Sequence, residues 1–196
     1  MSALLLIATT NRGKQREFQR LLTALPGRVV TPDEIGLALD VPEPHETYAE
    51  NAAAKARAYA AASGLLSLAD DSGIEAAALD WGPGVRSARW GGADKAESLV
   101  EALRGAADRR ARMVCAVAVA RPSEPEPAVE IFTGVVEGSV AEAPRGSGGF
   151  GYDPIFLLPE GMTTAQLPEA EKDLISHRGR AVAAALPRLR ELLGGP

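Results

Sequence analysis

The chain of 196 residues is poor in the side chains that build redox and soft-metal centres, with one cysteine, Cys115, and two histidines. A single cysteine excludes an internal disulfide, and so few Cys and His exclude a zinc site of ordinary composition. Cys115 lies in the apolar run Met113–Ala120 and reads as a buried structural thiol rather than a nucleophile. No window of the sequence approaches the roughly 18 uninterrupted apolar residues a membrane span requires. The net charge is −5 and the basic residues are scattered, which argues against a nucleic-acid partner held on a basic face. Met1–Ile7 carries no basic segment and runs straight into a polar loop, unlike a secretory signal, so the expected location is the cytoplasm.

What is present is an ordinary globular balance, 46% apolar and 24% charged, expected to form one domain over residues 1–196. Ala3–Ala8 reads as a buried strand. Asn11 onward reads as a helix with Phe18, Leu21, Leu22 and Leu25 on one face, ended by Pro26-Gly27. Thr47-x-x-Glu50 is a capping-box signature for an alanine-rich helix running to Gly64. Leu65–Ala69 reads as a short strand that leaves the sheet at Asp70-Asp71-Ser72-Gly73. Asp94–Leu103 reads as a helix, and Arg112–Ala120 and Val129–Val136 as paired strands joined by a loop over Pro122–Pro127. Ser176 is placed to cap a last helix carrying Val182, Leu186, Leu189 and Leu193, which Pro187 is expected to kink or interrupt. This order is mixed α/β with antiparallel pieces, not a clean βαβ repeat.

Five segments carry chemistry. Thr9-Thr10-Asn11-Arg12-Gly13-Lys14 joins a strand to a helix, and N–H groups at a helix start with a lysine make an anion site. It is not a P-loop, because the first glycine of that motif is absent and Gln15 replaces its Ser/Thr; the plain alternative is a capped turn. Asp70 and Asp71 are adjacent strand residues that point opposite ways, so one can hold Mg²⁺ or take a proton while the other caps a turn. Glu43 and Glu46 precede the capping box as further oxygen donors, and Lys55 either reaches phosphates or snorkels from an apolar face. Gly146-Ser-Gly-Gly-Phe-Gly151 matches a dinucleotide fingerprint in letters only, because Asp153-Pro154 follows where a helix must open. It is left as a glycine loop presenting Phe150, Tyr152 and Asp153. Lys172 and the pair His177-Arg178 offer donors to phosphate and to a keto oxygen.

Together these segments resemble the inosine triphosphate pyrophosphatase family, the XTP/dITP diphosphatases. The resemblance rests on Ala8–Lys14, Thr47–Lys55, Ala69–Gly73, Pro83-Gly84 with Ser87–Arg89, Gly148–Pro154 and Ser176–Gly179, in family order over nearly the whole chain. It implies an α/β (mixed α+β) fold, a long curved mixed β-sheet flanked by helices in two lobes with a nucleotide cleft between them, assembled as a homodimer. It implies a Mg²⁺-dependent enzyme that hydrolyses ITP, dITP and XTP to the monophosphate and pyrophosphate. By the same resemblance Thr9, Thr10, Asn11, Arg12, Gly13, Lys14, Lys55 and Lys172 bind the triphosphate, with Ser72 near it. Asp71 is the general base and a metal ligand. Phe150, Gly151, Tyr152 and Asp153 surround the base, and His177 and Arg178 contact its 6-keto side. The family writes Glu-Thr-Gly-x-Thr-Phe where this chain has Glu43-Pro-His-Glu-Thr-Tyr48; counting back from Thr47 puts Glu43 on the metal-binding glutamate, with Glu46 as the alternative. A Maf-like pyrimidine or modified-nucleotide pyrophosphatase and a non-catalytic nucleotide-binding regulator are the competing readings.

Overall fold

The structure, a computed structural model, describes residues 3–123 and 125–194. In chain order the elements are β1 (Leu4–Ile7), α1 (Arg12–Leu21), β2 (Arg28–Val30), α2 (Tyr48–Ser63), β3 (Leu66–Ala76), β4 (Gly82–Pro83), α3 (Lys95–Ala102), β5 (Arg110–Arg121), β6 (Ala128–Val140), β7 (Phe156–Leu157), α4 (Glu169–Ile175) and α5 (His177–Leu192). The strands form a sheet in the order β2-β1-β3-β5-β6-β7, with β4 paired to β3. β1 pairs in parallel with both β2 and β3, whereas β3–β4 and β6–β7 are antiparallel. The sheet is therefore mixed, as the order of segments predicts.

Local chemistry explains where the helices start and stop. Asn11 caps α1 by accepting the Lys14 N–H on its side-chain oxygen at 3.1 Å. In α2 the Thr47 hydroxyl accepts the Glu50 N–H at 3.2 Å and donates to Glu50 Oε2 at 2.7 Å. That helix ends at Gly64, whose φ of 68° is the left-handed conformation that glycine adopts without a Cβ penalty. Asp94 caps α3 through the Glu97 N–H at 2.9 Å. At α5 the Ser176 hydroxyl accepts the Gly179 N–H at 3.0 Å, the capping role expected of it.

Two expectations are corrected. The strand carrying the paired aspartates does not leave the sheet there: β3 continues through Asp70–Gly73 to Ala76, where Glu75 and Ala76 pair with Pro83 and Gly82. The buried polar side chains on it find partners from neighbouring elements, so the turn-forming tendency of Asp-Asp-Ser-Gly is overridden. Nor does Pro187 interrupt α5, which runs unbroken across it. A buried face of Ala181, Val182, Ala185 and Leu189 supplies packing that offsets the lost backbone hydrogen bond.

By packing, the chain divides into two compact units, and β3, β5 and β6 each belong partly to both. The first unit holds the chain up to Asp71, Cys115–Gly134 and the chain from Arg180 onward. Its core joins Leu5, Ile7, Phe18, Leu22, Leu68, Val117, Val182 and Leu189, and Cys115 is fully buried among them. The second unit holds Ser72–Val114 and Val135–Gly179, around Ile74, Leu99, Leu103, Met113, Val140, Ile155 and Phe156. Truncating one such core Leu or Ile to Ala costs about 2–5 kcal/mol.

Candidate active site

In the first unit the β1–α1 connection is shaped by its own side chains. Gln15, buried, donates from Nε2 to the Thr9 carbonyl at 2.8 Å, and Thr9 Oγ1 accepts the Asn11 N–H at 3.3 Å. These bonds hold the loop while Thr10, Asn11 and Arg12 remain exposed at the start of α1. Arg12 pairs with Asp33 at 2.9 Å, but both side chains are largely exposed, and such a pair contributes little and is readily exchanged. Gly13 is buried under the first turn.

Lys14 and Lys55 converge on Asp70. Lys14 Nζ lies 3.1 Å from Asp70 Oδ2, and Lys55 Nζ donates to the Asp70 carbonyl oxygen at 2.9 Å. Lys55 also forms an ion pair with Glu43. Burial opposes the charge on Lys55, but the fields of Asp70, Glu43 and Asp71 outweigh it and hold its pKa above the ordinary lysine value. Glu46, in contrast, is exposed. Cys115 Sγ lies 3.8 Å from Asp70 Oδ2, a weak contact consistent with a packing role.

Asp71 has different company. Its Oδ2 accepts the Asn51 amide at 3.0 Å, and the side chain is buried. Burial raises its pKa and the Glu43 charge adds to that; Asn51, Lys14 and Lys55 act in the opposite direction without cancelling it. The Glu43 charge opposes ionisation of Asp71, and the two carboxylates are an all-oxygen donor set whose charge a hard cation would relieve. Among the described residues no group of three or more His, Cys, Asp or Glu is placed to hold a metal alone. Mg²⁺ does not need one, since it keeps waters and takes phosphate oxygens beside one or two carboxylates. The donor set therefore fits Mg²⁺.

In the second unit the residues gather around Asp153. Its Oδ2 accepts the Phe150 N–H at 2.7 Å and pairs with Lys172 Nζ at 2.6 Å, while Oδ1 accepts the Thr164 hydroxyl at 2.9 Å. The Phe150 ring, half-buried, has Lys172 Nζ 5.5 Å and Arg178 Cζ 5.7 Å from its centroid. Both distances suit cation–π attraction and hold the ring in one attitude. Arg178 is buried and donates from Nη2 to Ser72 Oγ at 2.9 Å; His177 is buried beside it and Gly151 is exposed. Tyr152 donates its hydroxyl to the Ser87 carbonyl at 2.9 Å, and burial pushes its pKa up to about 12, so it stays neutral.

The candidate residues thus fall into two sets: Thr9–Lys14, Glu43, Lys55 and Asp71 in the first unit, and Ser72, Phe150–Asp153, Lys172, His177 and Arg178 in the second. Three supporting residues had not been singled out from sequence: Gln15, Asn51 and Thr164. Asn51 alone left a signal, a polar residue at the head of a run of alanines.

This is a mixed-sheet α/β fold that carries ammonium groups and hard oxygen donors in its first unit and a glycine-borne aromatic in its second. The comparisons narrow it. A model of the Ham1 family matches residues 5–188. A dITP/XTP pyrophosphatase of Symbiobacterium thermophilum is 49% identical over 199 residues, 96% of each chain. One of Nitrosomonas europaea is 45% identical over 193 residues, 95% of this chain and 94% of that one. A HAM1 protein from Coxiella burnetii has a similar structure, with a TM-score of 0.84 at 40% identity over 97% of this chain and 100% of the other. The Ham1 protein of Staphylococcus aureus gives 0.82 at 35% identity, over 96% and 99%. The chain belongs to the Ham1 family.

Proposed function

We propose that this protein hydrolyses the purine nucleoside triphosphates ITP, dITP and XTP to the monophosphate and pyrophosphate, and so clears damaged nucleotides from the precursor pool. The observation that carries this reading is the division of labour on β3. The Asp70 carboxylate pairs with Lys14 while the Asp70 backbone carbonyl takes Lys55, whereas the Asp71 carboxylate accepts from the neutral Asn51, so the neighbouring carboxylates have different chemistry. Relatives of near-equal length named dITP/XTP pyrophosphatase support it.

Glu43 and Asp71 would hold Mg²⁺, which when bound neutralises phosphate charge and positions the chain. Lys14, Lys55 and Lys172, with the Thr9–Gly13 loop, draw the triphosphate in. An ammonium has three donors, so a lysine can keep its carboxylate partner and still bind a phosphate oxygen. Asp71 orients a water and accepts its proton as the oxygen attacks the α phosphorus. The bond from that phosphorus to the bridging oxygen breaks, and pyrophosphate leaves.

Phe150 stacks on the base, and Arg178 and His177 donate to O6. Adenine presents an amino donor at that position, and a donor facing a donor leaves both unsatisfied. The same reading carries a homodimer working in the cytoplasm without nucleic-acid or membrane partners; among the described residues no helix is long and apolar enough to cross a membrane.

The test is pyrophosphate release from ITP, ATP, GTP, UTP and TTP, with Mg²⁺ and after chelation, in wild type and Asp71→Asn. Metal-dependent pyrophosphate from ITP, little from the others, and loss in the variant is the expected result. Preference for UTP or TTP would favour the Maf-like reading. Binding of ITP without turnover would make the protein a regulator.

A further inference from the structure

Asn51 is the least expected residue of α2. Asparagine is a mediocre helix former, and a buried amide is costly unless every polar atom is paired. Asn51 is 1% exposed. Its Oδ1 accepts the His45 N–H at 3.0 Å, and its Nδ2 donates both to the His45 carbonyl at 3.2 Å and to Asp71 Oδ2 at 3.0 Å. The amide thus closes a two-bond ring with the backbone of residue 45 and spends its other N–H on the carboxylate. Only this orientation of the amide matches every donor to an acceptor. Aspartate at 51 would lack both donors, and glutamine would be one methylene too long for a packed site.

The consequence reaches Glu43, two residues before His45. The loop from Glu43 to Thr47 holds Pro44 and His45, and no named strand or helix contains it. Asn51 grips that loop at His45 and grips β3 at Asp71. We propose that Asn51 is a positioning residue that sets the separation of Glu43 and Asp71, and thereby the affinity of that pair for a divalent cation. This rests on the reading of Glu43 and Asp71 as metal ligands given above. Residues that orient ligands in this way typically change metal affinity by about 10–100-fold when removed.

The experiment measures Mn²⁺ bound to the nucleotide-free protein by electron paramagnetic resonance, in wild type, Asn51→Ala and Asp71→Asn. It is joined to the Mg²⁺ concentration for half-maximal ITP hydrolysis and to KM for ITP at saturating Mg²⁺. Asn51→Ala is expected to weaken Mn²⁺ binding by about 10-fold or more and to raise the Mg²⁺ requirement by a similar factor, with KM changed by no more than about twofold. Mn²⁺ affinity near wild type in Asn51→Ala, while Asp71→Asn has lost binding, overturns the positioning role and leaves the ligand reading intact. A rise in KM without a metal effect overturns it too. Mn²⁺ bound normally by Asp71→Asn means that the ligand reading is wrong, and the proposal falls with it. Should Asn51→Ala fail to fold, His45→Pro removes one of the loop bonds at an exposed position and is judged by the same measurements.

Discussion

Lys172 Nζ lies 2.6 Å from Asp153 Oδ2 with both side chains buried, and that same oxygen accepts the Phe150 N–H. Removing one partner of such a pair strands a charge and costs about 3–5 kcal/mol. Asp153→Ala should therefore lower unfolding free energy by roughly that amount and raise KM for ITP, because Phe150 loses its anchor. The double variant Lys172→Met/Asp153→Ala should lose less stability than the two single changes summed. Denaturant titration of the four proteins checks this, and strict additivity would refute the coupling.

Arg178 should control the choice between ITP and ATP. Its guanidinium is held by Ser72 Oγ at 2.9 Å beside the Phe150 ring. Loss of a donor matched to a substrate oxygen typically costs a factor of about 10² or more in discrimination. Arg178→Ala should reduce the ratio of kcat/KM for ITP over ATP by that order, and Ser72→Ala should reduce it less. An unchanged ratio would remove Arg178 from base recognition.

Asp71→Asn should inactivate the enzyme without weakening the fold. The folded pKa of Asp71 lies above its ordinary value of 3.8, chiefly through burial. A carboxyl raised on folding contributes stability that is complete below the unfolded pKa and lost as pH rises through the folded one. Ionising Asp71 in the metal-free protein therefore carries a cost that asparagine avoids. Activity should fall by about 10²–10⁴-fold, while the metal-free variant melts at or above wild type at pH 7. The difference should shrink as the pH is taken below about 4. A clearly lower Tm at neutral pH would contradict it.

Gly179 should not tolerate a side chain. A Cβ there would sit 1.8 Å from the Asp173 backbone carbonyl oxygen, so α4 and the start of α5 would have to separate. Gly179→Ala should lower Tm and raise KM for ITP, since Arg178 is the preceding residue. A crystal structure of the variant with Arg178 unmoved would show that the contact is without consequence for the site.

How much was legible follows from the range over which each force acts. The α2 boundaries could be read because Thr47, Glu50 and Gly64 act within a turn or two of their own backbone. Of the apolar face expected for α1, Phe18 and Leu22 are buried and Leu21 partly so, but the helix ends at Leu21, short of Pro26-Gly27, and the buried Leu25 lies in the turn that follows. Short elements were missed: β2 has three residues and β7 two, too few for a period to show. α4 was not read as an element: it has seven residues, and its Leu174 is 80% exposed rather than part of a buried face.

The sequence by itself determined the order of segments, the caps, the identity of the chemical groups and their family resemblance, since these depend on residue type and near neighbours. Tertiary structure alone decided the partners. Asn51 meets Asp71 across 20 residues and Arg178 meets Ser72 across 106, separations at which no local preference acts. It also decided that Asp70-Asp71-Ser72-Gly73 is the interior of an 11-residue strand rather than a turn. Isolated, those residues favour a bend; within the sheet, Lys14, Asn51 and Arg178 engage the side chains of Asp70, Asp71 and Ser72, and that favours the extended form.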